Sequence, residues 1–194
     1  MKILSSSQIK ECDSATIEKG ISSISLMENA AKKCADWIGN NFKSNQSFSI
    51  FCGNGNNGGD GFAIARMLYE KGFDVEVFID ENNSKFSEDA KINLNKIKPI
   101  SGITIKDYSE FDNRDNSVII DALFGYGLNR ELSDDFKNLI ENLNQIQASK
   151  ISIDIPTGLY ADKIIEENST VFKADFTLTF QFYKRSFLHP ETGK

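Results

Sequence analysis

From residue 48 onward, short apolar runs alternate with segments whose apolar positions recur every three or four residues. The runs at 48–52, 75–79, 103–105, 118–122, 151–155 and 176–180 predict strands. The segments 61–71, 88–98 and 132–145 predict helices between them. Several of the runs, 48–52, 75–79 and 118–122 among them, are mostly apolar with a single polar residue rather than strictly alternating, the pattern of strands buried on both faces. That predicts a parallel sheet covered by helices. The first forty-odd residues read as two helices. Ser25-Leu26-Met27-Glu28 has the form of a capping box for the second. Behind it Leu26, Ala30, Ala31, Cys34, Ala35, Trp37 and Ile38 form a stripe at helical spacing. Such a stripe is core packing or, on an N-terminal extension, a dimer surface. The polar segments 81–85 and 112–116 read as solvated loops, and no Pro-rich linker divides the chain.

With 194 residues, one domain is the default, large enough to bury a core without a disulfide or metal staple. The net charge is −6. An acidic chain is a poor candidate for nucleic acid or an anionic membrane. Three cysteines (Cys12, Cys34, Cys52) show no metal spacing, and an odd number fits a reducing compartment. Cys52 ends an apolar run and is expected to be buried and inert. His189 is the single histidine, which argues against a His-based metal site or triad. No apolar run approaches a membrane span and no signal-peptide pattern opens the chain, so it is read as cytoplasmic.

Candidate chemistry begins at Gly53-Asn54-Gly55-Asn56-Asn57-Gly58-Gly59-Asp60-Gly61, between a predicted strand and a predicted helix. Glycines let a backbone approach a ligand, and a helix N-terminus offers unpaired N–H groups to an anion. Gly53, Gly55 and Gly58 satisfy G-x-G-x-x-G, and Asp80 closes the following apolar run where a dinucleotide fold places its ribose acid. That permits an NAD-dependent dehydrogenase. It equally permits a glycine turn that only packs helix on strand. Asn56 and Asn57 add amide groups, and Asp60 puts a carboxylate in the first helical turn. It would compete with a pyrophosphate and suits a polar ligand and a cation. In an open α/β sheet ligands bind beyond the carboxyl ends of the strands. Two further polar segments lie at such ends: one from Asp121, one from Asp154.

Taken together these blocks resemble the NAD(P)H-hydrate epimerase family, the YjeF N-terminal domain. The glycine loop is similar to its signature loop. Asp121-Ala122-Leu123-Phe124-Gly125-Tyr126-Gly127-Leu128 and Asp154-Ile155-Pro156-Thr157-Gly158-Leu159 match its D-A-L-F-G-x-G-L and D-I-P-S-G-L blocks in order, and Met27-Glu28-Asn29-Ala30-Ala31 matches more weakly. The resemblance implies a single α/β domain over 1–194: a Rossmann-like three-layer sandwich (47–194) with a mostly parallel central sheet and an N-terminal helical extension (1–46).

What else it implies is specific. The substrate is NADH or NADPH hydrated at C6 of the nicotinamide ring, and the reaction interconverts the R and S epimers there as metabolite repair. Positions matching its substrate contacts are Asn56, Asn57, Gly58, Gly59, Asp60, Gly125, Tyr126, Gly127, Leu128, Asn129, Arg130, Glu131 and Asp154. One potassium ion per subunit is implied at Asn57, Asp121 and Thr157; Thr157 stands where the family usually has Ser, and keeps the hydroxyl. A homodimer through the N-terminal helices, and in many bacterial relatives a fused C-terminal dehydratase domain, are also implied. Gln181 and Tyr183 depart from the Gly and Pro that many relatives carry before the matching lysine, Lys184.

Asp154 is the candidate acid–base, with Lys184 as orienter or donor. Bland readings stand beside these roles. Asp121 is then a carboxylate tying down the loop after its strand, Asp154 a turn carboxylate bonding the Thr157 or Gly158 amides, and Arg130 a solvated arginine rather than a phosphate partner. A non-catalytic nucleotide-binding or scaffold module is the alternative from a different class.

Overall fold

Every strand of the central sheet runs parallel to its neighbours. The computed structural model describes residues 2–80, 85–112, 117–166 and 168–189. Most of the polar segments expected as loops, 81–84 and 113–116, and the end of the tail, 190–194, lie outside them.

Among the described residues the order is β1 (Ile3–Leu4), α1 (Ser6–Glu18), α2 (Ser23–Asn41), β2 (Ser47–Cys52), α3 (Asn56–Glu70), β3 (Asp74–Ile79), α4 (Glu88–Ile97), β4 (Ile103–Asp107), β5 (Ser117–Ala122), α5 (Asp134–Gln145), β6 (Ser149–Ile153), β7 (Phe176–Leu178) and β8 (Tyr183–Lys184). Six strands form one sheet in the order β4-β3-β2-β5-β6-β7. Register explains the layers. Ile50 pairs with Val77 and Ile120, and these side chains face α2, α3 and α4. Phe51, one residue on, pairs with Phe78 and faces α5, its ring stacked on Phe78 at 4.9 Å. The expected three-layer α/β arrangement is what forms.

Of the two readings of the stripe on α2, core packing holds: Met27, Ala31, Cys34, Ala35 and Ile38 are buried against the layer that α2 shares with α3 and α4. Three expectations are corrected. The cap of α2 is one turn earlier than Ser25. Ser22 accepts from the Ser25 N–H, while Glu28 pairs with Arg66 (2.6 Å) and Lys96 (2.5 Å) instead of closing a box.

Helix α3 begins at Asn56, not 61, with Gly55 as its cap residue. Its glycines are where β2 and the helix touch: a Cβ on Gly58 would lie 1.7 Å from the Gly53 carbonyl oxygen, and one on Gly61 2.6 Å from Cys52 Sγ.

The last predicted strand is two. β7 stays in the large sheet, and Gln181 turns the chain at φ +55°. β8 then pairs parallel with β1, Ile3 to Tyr183 and Leu4 to Lys184.

Candidate functional site

After β4 the chain crosses back to lay β5 beside β2, so the connections leave to opposite sides of the sheet there. Their carboxyl ends form the crevice where open α/β sheets bind ligands. The backbones meet closely: the Gly53 N–H donates to the Ala122 carbonyl (3.0 Å), and a Cβ on Gly53 would lie 2.0 Å from the Leu123 carbonyl oxygen. Helix α3 starts directly behind, with no side chain capping it, so its first-turn N–H groups are offered to a ligand.

Two carboxylates organise the corner. Asp121 ends the apolar row of β5 and is fully buried. Each oxygen accepts two hydrogen bonds: Oδ1 from the Thr157 hydroxyl (2.6 Å) and the Leu123 N–H (3.2 Å), Oδ2 from the Thr157 N–H (2.8 Å) and the Ser152 hydroxyl (3.1 Å). Burial pushes its carboxyl up to about 6 against these hydrogen bonds, which pull it down. Asp121 therefore ties the ends of β5 and β6 together, the loop-tying role open from sequence.

Asp154 does not bond the Thr157 or Gly158 amides. It sits at φ +68° just beyond β6, nearly buried. Its Oδ2 accepts from the Tyr126 N–H (2.9 Å) and its Oδ1 from the Phe180 N–H (3.4 Å). The ammonium of Lys184, a residue with no exposed surface, pairs with Oδ1. That ammonium also donates to Thr179 Oγ1 (2.9 Å) and to the Phe180 (3.2 Å) and Phe182 (3.4 Å) carbonyls. A fully buried lysine held by a carboxylate is costly to desolvate and is seldom kept for packing alone. Gly125 packs closely against the pair: a Cβ there would lie 3.1 Å from Asp154 Oδ2 and 3.3 Å from Asn57 Oδ1, a tight fit for any side chain.

This architecture and its sequence match the family described as "YjeF-related protein N-terminus" over residues 23–186. The chain belongs to that YjeF-related family. It is 35% identical to the NAD(P)H-hydrate epimerase of Elusimicrobium minutum, over 97% of this chain and 89% of that protein. It is 37% identical to the bifunctional NAD(P)H-hydrate repair enzyme Nnr of Dictyoglomus turgidum, over 92% of this chain but 35% of that protein. It thus spans about a third of the length of such bifunctional relatives. The crystal structure of the yeast protein YNL200c superposes with a TM-score of 0.77 at 26% identity, covering 87% of this chain and 76% of that one.

In this YjeF-related chain the positions expected to bind substrate divide into three groups. Asn57, Gly58, Gly59 and Asp60 are buried in the first turns of α3, with Asn56 exposed at its start. Among the described residues the Asn57 side-chain nitrogen is a buried donor with no protein acceptor. Gly125 and Tyr126 pack at the Asp154 corner. Beyond them, Leu128, Arg130 and Glu131 line a cavity of about 210 Å³ together with Tyr160 and Ser169. Gly127 and Asn129 are exposed between these groups. Asp80, by contrast, borders a cavity of only about 10 Å³ with Asn54 and Tyr108, too small for a ribose.

Three supporting side chains escaped the sequence reading. Ser152 bonds Asp121, Thr179 bonds Lys184, and Asn93 donates to the Gly59 carbonyl (3.3 Å). Ser152 left a signal, a polar residue inside an apolar strand; the other two left none. Cys52 is buried as expected, and burial raises its thiol well above the ordinary range.

Asp60 is the unusual acid. It lies in the second turn of α3, not the first, and is 8% exposed. Burial, then the charges of Asp154, Asp89 and Asp13, push its carboxyl well above the usual carboxylate range. The linkage sign follows. Below an ordinary carboxyl pKa of about 4 both folded and unfolded states hold the proton; above it the unfolded state releases the proton more readily, and the fold loses stability. Asp60→Asn is therefore expected to raise the urea midpoint relative to wild type, by an amount that grows as pH rises above about 4. Equal midpoints at pH 4 and pH 8 would contradict this.

Proposed function

We propose that the chain is an NAD(P)H-hydrate epimerase, an isomerase acting on hydrated NADH or NADPH. The observation that carries the reading is the buried Asp154–Lys184 pair at the carboxyl end of the sheet, with Gly125 and Asn57 packed against it.

The substrate's own electrons drive the reaction. The ring-nitrogen lone pair expels the C6 hydroxyl and leaves an iminium. Water then adds to either face, and the proton it releases balances the one spent on the departing oxygen. Asp60, whose carboxyl burial pushes upward, is the proposed proton donor to the leaving hydroxyl. The Asp154 carboxylate takes a proton from the entering water, Lys184 keeps that carboxylate fixed in position, and the proton returns from Asp154 to Asp60 through solvent before the next turnover. The first-turn N–H groups of α3 receive the diphosphate, and the cavity at Leu128, Arg130 and Glu131 receives the rest of the nucleotide. The repair partner of bifunctional relatives, a dehydratase domain, would act on the same substrate.

Potassium at Asn57, Asp121 and Thr157 forms part of the same reading. The donor chemistry fits: all three offer oxygen, only Asp121 carries charge, and a hard monovalent cation prefers such a set. The Thr157 hydroxyl directs its hydrogen at Asp121 and its oxygen outward to the Phe124 N–H (3.2 Å). Asn57 Oδ1 lies against Gly125. When bound, the ion would supply positive charge against Asp121 and the substrate's phosphates. Association as a homodimer would use surfaces other than the α2 stripe, which the core consumes.

Conversion of a purified R epimer to S, followed by chromatography with sodium or potassium as the only monovalent cation, tests the reading. Conversion above the spontaneous rate, faster in potassium, is expected. Binding without acceleration would leave only the scaffold reading.

A further inference from the structure

Asp13 lies on α1, outside the glycine loop and both aspartate blocks, yet its half-buried carboxylate reaches the site. Its Oδ1 accepts from Gln181 Nε2 (2.6 Å) and its Oδ2 from the Tyr126 hydroxyl (3.1 Å). Burial and then the Asp13 charge raise the Tyr126 phenol, which keeps it a donor.

Tyr126 is bound to the Asp154–Lys184 pair through its own backbone, and Gln181 through the backbones of its two chain neighbours. The Tyr126 N–H donates to Asp154 Oδ2, and its ring lies 5.9 Å from the Lys184 ammonium. Gln181 joins Phe180, whose N–H donates to Asp154 and whose carbonyl accepts from Lys184, to Phe182, whose carbonyl also accepts from Lys184.

Gln181, like Asp154, is in left-handed conformation, at φ +55°. That conformation is unfavourable for a side-chain-bearing residue and persists where neighbours hold it. Here it turns the chain so that Lys184 returns beneath Asp154. The side chain that holds it is Asp13.

Helix α1 is a firm platform for this contact. Ser5 and Gln8 form a capping box, and Ile9 is buried. The Ser6 N–H (2.9 Å) and hydroxyl (2.6 Å) both donate to Asp162 Oδ2, and β1 pairs with β8.

We propose that Asp13 is a positioning residue of this site: by accepting Gln181 and Tyr126 together it sets the two backbone segments that hold the Asp154–Lys184 pair. The proposal rests on the epimerase reading for its kinetic consequence, though not for its structural one.

Asp13→Ala is expected to lower kcat about tenfold with KM changed less than threefold, and Asp13→Asn, which keeps one acceptor, to fall between it and wild type. Glycine adopts the left-handed turn unaided, so in a Gln181→Gly background Asp13→Ala costs less than in the wild-type background. Asp162→Ala removes the contact with Ser6 while Ile9 and the β1–β8 pairing still hold α1, and is expected to leave kcat unchanged. Amide hydrogen exchange supplies a readout independent of turnover: the Tyr126 and Phe180 N–H groups exchange faster in Asp13→Ala and at the wild-type rate in Asp162→Ala. Unchanged exchange at both amides in Asp13→Ala, or equal losses of kcat in Asp13→Ala and Asp162→Ala, would overturn the proposal. A wild-type protein that fails to epimerise would refute the functional reading instead, with the exchange data still deciding the role of Asp13.

Discussion

Asp154→Asn is expected to slow epimerisation about a thousandfold, within the range that a positioned proton-transfer group contributes. The substitution suits the backbone, because asparagine tolerates the left-handed φ of +68° found there. It fails chemically. An amide cannot take the proton from an entering water, and its NH₂ group must face either the Tyr126 N–H or the Lys184 ammonium, both donors. The variant should also lose stability. The buried Lys184 ammonium would keep the Thr179 hydroxyl and two carbonyls but lose its counter-charge, and breaking such a pair costs about 3–5 kcal/mol. Urea unfolding measures the second loss, and turnover of the remaining folded protein the first. Near-wild-type turnover would remove Asp154 from the chemistry.

Gly58→Ala is expected to destabilise the fold by about 3 kcal/mol or more, at or beyond the upper end of ordinary overpacking. Helix propensity alone predicts the opposite sign, since alanine is favoured over glycine inside a helix by about 1 kcal/mol. Sterics reverse it. The new Cβ would sit 1.7 Å from the Gly53 carbonyl oxygen and 2.6 Å from its carbon, both backbone atoms. Gly53 cannot retreat, because its own Cβ position is 2.0 Å from the Leu123 carbonyl oxygen. The start of α3 must therefore lift from β2, carrying Asn57 and Asp60 with it. Gly55→Ala is the matched control: nothing lies within 4 Å of a Cβ there and its φ is −86°, so stability should hold. Equal stability of the two variants would contradict this account of the loop.

The same contacts explain which parts of the fold could be read from sequence. The buried strands declared themselves as mostly apolar runs, because burial on both faces leaves a single polar residue in each of 75–79 (Glu76) and 118–122 (Asp121) instead of a regular alternation. The beginning of α3 did not. Asn56, Asn57 and three glycines look like a loop by propensity, and they become helix because the approach of α3 to β2 excludes a Cβ at 58 and at 61. Local chemistry pointed to Ser25 and Glu28 as a cap, but Arg66 and Lys96 from other helices recruited Glu28.

At the site, Asp121, Asp154 and Lys184 were legible from motif resemblance. Their relations were not. That Asp154 grips Lys184 depends on the turn at Gln181 and on β1 pairing with β8, contacts between opposite ends of the chain. No window of sequence contains them. Asp13, joined to Gln181 across 168 positions, is invisible for the same reason.

The central claim is that this corner of the sheet opens and recloses the C6–oxygen bond of hydrated NADH. The most direct measurement supplies the purified R epimer to the protein in water labelled with heavy oxygen and follows the S epimer by chromatography and mass. The account predicts S epimer formed well above the spontaneous rate, carrying label at C6, with the acceleration lost in Asp154→Asn. Conversion at the spontaneous rate, or accelerated conversion that retains the original oxygen, would contradict it.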